Sequence, residues 1–434
     1  MAQETQAKIP SCDSYFEAIQ SRKKLPFPLQ QVLTSAFSQI PVSSFPDVPS
    51  GKVVEIEEDT SIIDAVRVLS ENKIMAAPVR NSGARDDLDW KQRYLGIIDY
   101  SAVILWVMEN AELAAMALSA GTATAAGVGL GAVGAMGAVA LGATGPAAVA
   151  GLTAAAVTAA MAGGFAAEKG MGRDAPSAVD HLGEDFYKIL QNEEPFKSTT
   201  VKSIIESYRW SPFLPVSPDT SMLTVLLLLS KYRLRNVPVI EIGRPGIRNF
   251  ITQSAVVQGL QQCKGRDWFD TISSRSLSDL GLPFMPCNEV ITVKSNELIL
   301  EAFKRMKDNR IGGLPVTKES SRNIVGNVSI RDIRHLLLKP ELFSNFSQLT
   351  AMDFLKRTID LARPMVTCKS DDRLGIVIDR LASASAHRVY VVDGDDSELV
   401  GVVTLRDVIS CFVYEPPGHF DAYFVLAIKD MLSQ

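Results

Sequence analysis

The stretch HRVYVVDGDDSELVGVVTLRDVI, residues 387–409, decides how the chain is read. Val389-Tyr-Val-Val and Leu399-Val-Gly-Val-Val are short continuous apolar runs, the pattern of buried strands. The Gly and Asp residues between them mark a hairpin turn. Thr404-Leu-Arg-Asp407 then has the Thr-x-x-Asp spacing of a helix start. An amphipathic helix precedes the unit, with Leu374, Val377, Ile378 and Leu381 at three- and four-residue spacing.

The same order of elements occurs three more times. MAAPVRNS (75–82) leads to YLGIIDYSAV (94–103), RNVPVIEIG (235–243) to NFITQSAVV (249–257), and GGLPVTKES (312–320) to IVGNVSIRDI (324–333). Before the third unit, Leu298, Ala302, Phe303, Met306 and Ile311 form the apolar stripe. One α/β unit of this size cannot cover both faces of its own sheet, so the four are expected to stack in pairs. The expected boundaries are an N-terminal segment 1–39, repeat 1 at 40–112, an insertion and linker at 113–180, repeat 2 with a leading helix at 181–265, repeat 3 at 270–345, repeat 4 at 350–415 and a tail at 416–434.

The 434 residues include 47% hydrophobic and 21% charged side chains, the balance of a globular chain. A formal net charge of −5 argues against wholesale nucleic-acid binding. Cys12, Cys263, Cys287, Cys368 and Cys411 are scattered with no CxxC pair, which suits reduced thiols and supports no zinc site. MAQETQAKIPSCDS lacks the apolar core of a secretory signal, so a cytoplasmic or nuclear location is expected.

Leu113 to Ala167 carries no charge and is dominated by Ala and Gly. A transmembrane hairpin would need two runs of about 20 apolar residues, and Gly127-xxx-Gly131 would suit close helix packing. The stretch is poor in Leu, Ile and Phe and has no close basic flank, so a partly helical insertion is the favoured reading. Its Gly129-x-Gly131-x-x-Gly134 matches a dinucleotide fingerprint by letters only, because no acid follows before Glu168.

No P-loop, kinase, HExxH or GxSxG signature occurs, and the four histidines have no metal-ligand spacing. The informative positions are the strand-to-helix junctions, Ser329-Ile-Arg-Asp332 and Thr404-Leu-Arg-Asp407. Backbone N–H groups at a helix start, with a hydroxyl and a carboxylate beside them, can hold a nucleotide. The carboxylate would accept from ribose hydroxyls, and Arg310, Arg331, Arg388 and Arg406, with His387, would supply donors to phosphate. The competing reading is a capping box at each junction, and a charged strand edge at His387-Arg388. In the first two repeats the junctions read Asp99-Tyr-Ser-Ala102 and Thr252-Gln-Ser-Ala255, with a capping residue first and no acid fourth. A helix can thus start there without the acid.

With these residues in hand, the chain resembles the γ subunits of the AMP-activated and sucrose-non-fermenting protein kinases. The resemblance rests most on His387-Arg388 before a Val-rich strand and on Gly401-x-x-Thr404-x-x-Asp407. The Ala/Gly-rich insertion resembles that of plant members. The resemblance implies an α/β fold of four CBS (βαββα) motifs in two Bateman pairs forming a disc. It implies a non-catalytic subunit that binds adenine nucleotide (ATP, ADP or AMP), with a catalytic kinase α subunit and a β scaffold as partners, in carbohydrate and energy signalling. The family's ribose-binding acids correspond to Asp332 and Asp407, while Ala102 and Ala255 lack them; basic phosphate contacts of animal members are replaced by Met75, Asn236 and Ser254. Any nucleotide site is therefore expected in the second half. Two other classes stay open at this point: a membrane-tethered CBS protein regulating a transporter, and a ligand-free CBS scaffold.

Overall fold

The computed structural model describes residues 14–48, 51–85, 90–104, 106, 199–207, 213–241, 246–338, 348–358, 365–394 and 397–420. The Ala/Gly-rich insertion, with its Gly129 motif, and the last part of the tail lie outside the described residues.

Repeat 3 shows the local logic. A short strand, Val293–Lys294, runs parallel to Gly313–Thr317, which pairs antiparallel with Ile324–Ser329. The helix Ile299–Asp308 connects the two parallel strands. Its buried stripe is Ile299, Ala302, Phe303 and Met306, at helical spacing. Leu298, expected in that stripe, is instead the residue before the helix and is 41% exposed. Extended backbone at the cap turns its side chain off the helical face.

The other repeats keep this plan. Ile56–Glu57 with Ala76–Arg80 and Tyr94–Asp99 forms the first sheet, and Thr367–Cys368 with Arg388–Asp393 and Glu398–Thr404 the fourth, to which Met285–Pro286 adds a short antiparallel edge strand. In repeat 2 the hairpin Asn236–Val239/Asn249–Thr252 gains its parallel neighbour only at the bridge Val216–Val239. The hairpin register is the same in all four: Ala76 lies opposite Asp99, Asn236 opposite Thr252, Gly313 opposite Ser329 and Arg388 opposite Thr404. The residue that starts one strand is thus always beside the residue that caps the next helix. The last strand, Glu398–Thr404, alternates buried and half-buried positions rather than being buried throughout, because its second face is only partly covered.

Between each connecting helix and its next strand lies a residue in the left-handed region: Lys73, Arg233, Arg310 and Ser385, with φ of 56°, 58°, 52° and 46°. That conformation reverses the chain from helix into strand. It recurs at one place in every repeat and marks their structural register.

Packing between repeats uses two kinds of face. Sheets meet within pairs: Val53, Tyr94 and Ile97 of repeat 1 against Ile240 and Phe250 of repeat 2, and Ile324 of repeat 3 against Tyr390, Val392 and Leu399 of repeat 4. Helices meet between pairs. Repeat 1 shares a core with repeat 3, and repeat 2 with repeat 4. Contacts 1–2, 2–4, 4–3 and 3–1 close a ring, the four-repeat disc. The helix Met222–Ser230 is buried on every side in this arrangement, as expected of an all-apolar helix.

The N-terminal segment ties down the 2–4 side. Helices Ser14–Arg22 and Phe27–Gln39 contribute Phe16, Ile19 and Leu33 to that core, and the connection between them contributes Leu25. Between them, Lys23 Nζ donates to Ser410 O and Val413 O, both at 2.9 Å, satisfying carbonyls at the end of the helix Leu405–Phe412. Burial lowers the Lys23 pKa to about 8. Among the described residues, no helix is long and apolar enough to cross a membrane.

Candidate functional site at the junction of the repeats

The four strand-to-helix junctions are capped as the sequence requires. Thr252 Oγ1 accepts from Ala255 N at 3.1 Å, and Asp99 Oδ1 accepts from Ser101 N at 2.8 Å and Ala102 N at 3.1 Å. Repeats 3 and 4 carry full capping boxes. Ser329 Oγ accepts from Arg331 N at 3.3 Å, while Ser329 N donates to Asp332 Oδ2 at 2.8 Å. Thr404 Oγ1 accepts from Asp407 N at 3.3 Å, and Thr404 N and Oγ1 both donate to Asp407 Oδ2 at 2.8 Å. The capping role weighed for both acids is therefore realised. It uses one oxygen of Asp332; the other, Oδ1, is 4.0 Å from His335 Nε2, beyond hydrogen-bond reach. Burial raises the Asp332 pKa, opposed by the Ser329 N–H and by the nearby charges of Arg331, Arg334 and Arg388.

Arg388 begins the central strand of repeat 4 but lies against repeat 3. Its Nη1 donates to Asn327 Oδ1 at 3.3 Å, the same oxygen that accepts from the Tyr390 hydroxyl at 2.5 Å. Its guanidinium lies across Gly312 and Gly313. A Cβ on Gly313 would stand 1.6 Å from Arg388 Nη1 and 2.6 Å from Val328 O, and the Gly313 φ of 155° already disfavours any other residue. The glycine pair is the cradle for this side chain. Among the described residues Arg388 forms no ion pair within 4 Å, so its charge is met by a neutral amide, by the Tyr390 hydroxyl and by the longer-range field of Asp332.

A second guanidinium reaches the same place. Arg235 Nη2 is 4.0 Å from the point where a Gly312 Cβ would stand, and Arg388 Nη2 is 3.2 Å from it. Arg235 comes from repeat 2, and its Nη1 donates to Asp99 Oδ2 at 2.9 Å and Ser101 Oγ at 2.5 Å in repeat 1. Residues of all four repeats thus meet around Gly312.

Of the residues singled out in the sequence, Ser329, Arg331, Asp332 and Arg388 are brought together here. His387 faces repeat 2, with Nε2 3.3 Å from Ser254 Oγ. Thr404 and Asp407 form a separate junction, beside the backbone of His387 through the Leu405 N to His387 O bond of 3.2 Å. Arg310 is exposed and lines a small cleft with Ser101, Lys307 and Ile330. Arg406 is buried and its Nε donates to Ser230 O, at the end of the helix Met222–Ser230, tying repeat 4 to repeat 2. Sequence reading missed Asn327, the Gly312-Gly313 cradle and the Asp99–Arg235 pair. Superposing the four repeats at the left-handed residue would have exposed the cradle, since Met75-Ala76, Arg235-Asn236 and His387-Arg388 stand where repeat 3 has two glycines.

Comparison with known proteins agrees with this architecture. The family described as CBS domain matches residues 202–261, 281–339 and 357–414. The fold of MJ1225 from Methanocaldococcus jannaschii, a protein proposed to be an archaeal homologue of γ-AMPK, superposes with a TM-score of 0.51 at 14% identity, covering 83% of this chain and 96% of that one. The human 5'-AMP-activated protein kinase subunit gamma-3 is 26% identical over 52% of this chain and 45% of its own length. The Arabidopsis thaliana SNF1-related protein kinase regulatory subunit gamma-1 is 32% identical over 90% of this chain and 86% of its own. Another Arabidopsis relative, the SNF1-related protein kinase regulatory subunit gamma-1-like protein, is 61% identical over 99% of this chain and 98% of its own length. With a relative matching from end to end at that identity, this chain belongs to the plant γ-type regulatory subunits of the SNF1-related protein kinases, a regulatory rather than a catalytic chain.

Proposed function

We propose that the chain binds an adenine nucleotide at the four-repeat junction and, through a heterotrimer with a kinase catalytic subunit and a β scaffold, takes part in energy and carbohydrate signalling. The observation that carries the nucleotide reading is Arg388, whose guanidinium is seated on a glycine cradle with no carboxylate among the described residues salt-bridged to it. A buried or half-buried cation held this way gains most from an anionic partner, and the forked guanidinium matches phosphate oxygens. Asp332, with Oδ1 left beside it, supplies an acceptor for a ribose hydroxyl. Ser329 and Arg331 flank the same junction. The matching junction at Thr404 and Asp407 is the second position for such a ligand.

Two measurements test this. Co-expression with catalytic and β subunits, followed by size-exclusion chromatography, should give one stoichiometric complex; elution of this chain alone would remove the heterotrimer. Calorimetric titration with ATP should show binding that Arg388→Gln weakens about tenfold, the value of one charge-assisted hydrogen bond. No binding, with no thermal shift at millimolar ATP, would leave a ligand-free scaffold.

A further inference from the structure

Asp99 stands where the other three repeats use a hydroxyl, Thr252, Ser329 or Thr404, to cap the helix. A cap needs one oxygen, and Asp99 Oδ1 provides it. The second oxygen is used across the repeat boundary, on Arg235 at 2.9 Å. Asp99 is 4% exposed, so its charge is held mostly out of water, whereas Arg235 keeps about a third of its side chain accessible. The accessible end of Arg235 faces Gly312, where Arg388 also points.

Two guanidiniums that converge on one glycine repel each other unless an anion lies between or beside them. Asp99 is that anion for Arg235, whereas among the described residues Arg388 has only neutral groups, Asn327 and the Tyr390 hydroxyl, at hydrogen-bond range. The two arginines thus face the same space in different states of neutralisation.

We propose that Asp99 is an internal counter-anion that stands in for a ligand phosphate on Arg235, so that phosphate binding at the junction is confined to the Arg388 side. This rests on the nucleotide reading above and adds its stoichiometry and its determinant. The residue that sets how many phosphate groups the junction accepts is a carboxylate in the first repeat, far in sequence from the arginines it governs.

The test is calorimetry on the full chain with ATP and, separately, inorganic tripolyphosphate, comparing wild type with Asp99→Asn, Asp99→Thr and the double variant Asp99→Asn/Arg235→Gln. Asn retains the capping oxygen, and Thr reproduces the cap of repeats 2 and 4, so at least one neutral variant keeps the helix start; melting curves identify it. The expected result is about tenfold tighter binding of both probes, or a second bound equivalent, in the neutral variants, with the gain lost in the double variant. Wild-type binding that is unchanged in folded Asp99→Asn or Asp99→Thr overturns the proposal and leaves the nucleotide reading intact. A wild type that binds nothing beside a neutral variant that binds both probes supports the counter-anion and overturns the nucleotide reading for the natural chain. A gain that persists in the double variant assigns the effect to something other than Arg235 and overturns the proposal. Silence from every variant overturns both.

Discussion

The junction between repeats 1 and 2 and the junction between repeats 3 and 4 are built on one backbone plan and end in opposite electrostatic states. On the first side, the Arg235 guanidinium is 2.9 Å from the Asp99 carboxylate and the site is internally neutralised. On the second, Arg388 rests on two glycines with an amide and the Tyr390 hydroxyl for partners, and the acid beside it, Asp332, spends one oxygen on its own helix. Repetition fixed the geometry, and single residues at equivalent positions decided whether each site is closed by the protein or left to a ligand.

The hardest blow to this contrast is Gly313→Ala. Its Cβ would meet Arg388 Nη1 at 1.6 Å and Val328 O at 2.6 Å, in a backbone conformation alanine avoids. We expect loss of about 2–4 kcal/mol in urea unfolding, combining backbone strain and overpacking, and ATP binding weakened more than tenfold as Arg388 is expelled. Gly394→Ala is the control: φ is +66° but nothing lies within 4 Å, so only about 1–2 kcal/mol of strain and no change in binding are expected. Equal binding by both variants would show that the cradle does not position Arg388.

The next effect separates the two arginines. Arg235→Gln removes the cation from a nearly buried Asp99, and should cost about 1–2 kcal/mol of stability, between the ranges for exposed and buried pairs. Arg388→Gln breaks no ion pair among the described residues and should cost less than about 0.5 kcal/mol while weakening ATP binding. Matched losses of stability in urea titrations would erase the distinction.

A smaller effect is the pH dependence of Asp332. Its folded pKa lies above the unfolded value because burial disfavours the carboxylate. The folded state therefore holds more protons, and stability falls as pH rises from the ordinary aspartate pKa of about 3.9 through the raised value, then stays level. Asp332→Asn keeps an acceptor for Ser329 N and should flatten that part of the stability–pH curve. An unchanged curve would mean that Asp332 is as well solvated folded as unfolded.

Much of the architecture was legible because it is local. Period, turn residues and the hydroxyl or carboxylate before each last helix placed four hairpins and their caps at Asp99, Thr252, Ser329 and Thr404. What escaped depends on chain segments far apart. That repeat 1 shares a core with repeat 3, and repeat 2 with repeat 4, follows from which helical faces meet, and periodicity marks a face without naming its partner. Asp99 and Arg235 are separated by 136 residues, so neither looked unusual alone. Arg406 sits in the same short motif as Asp407, yet its buried guanidinium serves the end of a helix in repeat 2, because that carbonyl is sealed from water and needs a donor. Gly312 and Gly313 open a strand stretch with no chemistry of their own; their importance lies in the side chain they make room for.

The smallest expected effect probes the repeats at their most uniform point. Lys73 and Arg310 occupy the same left-handed position, φ 56° and 52°, in repeats that share a core. Glycine relieves the conformational strain at that position but gains entropy in the unfolded chain, so Lys73→Gly should add only about 0.5–1 kcal/mol to stability. Arg310→Gly gives the same backbone relief, offset by whatever its side chain contributes, and removes a positive charge from the cleft it shares with Ser101 and Ile330. On the contrast drawn above, the first half does not bind the ligand, so Lys73→Gly leaves ATP affinity unchanged and Arg310→Gly lowers it about two- to fivefold, as expected for one exposed, screened charge. Equal loss in both would mean that both halves attract the nucleotide, and that Asp99 does not close the first.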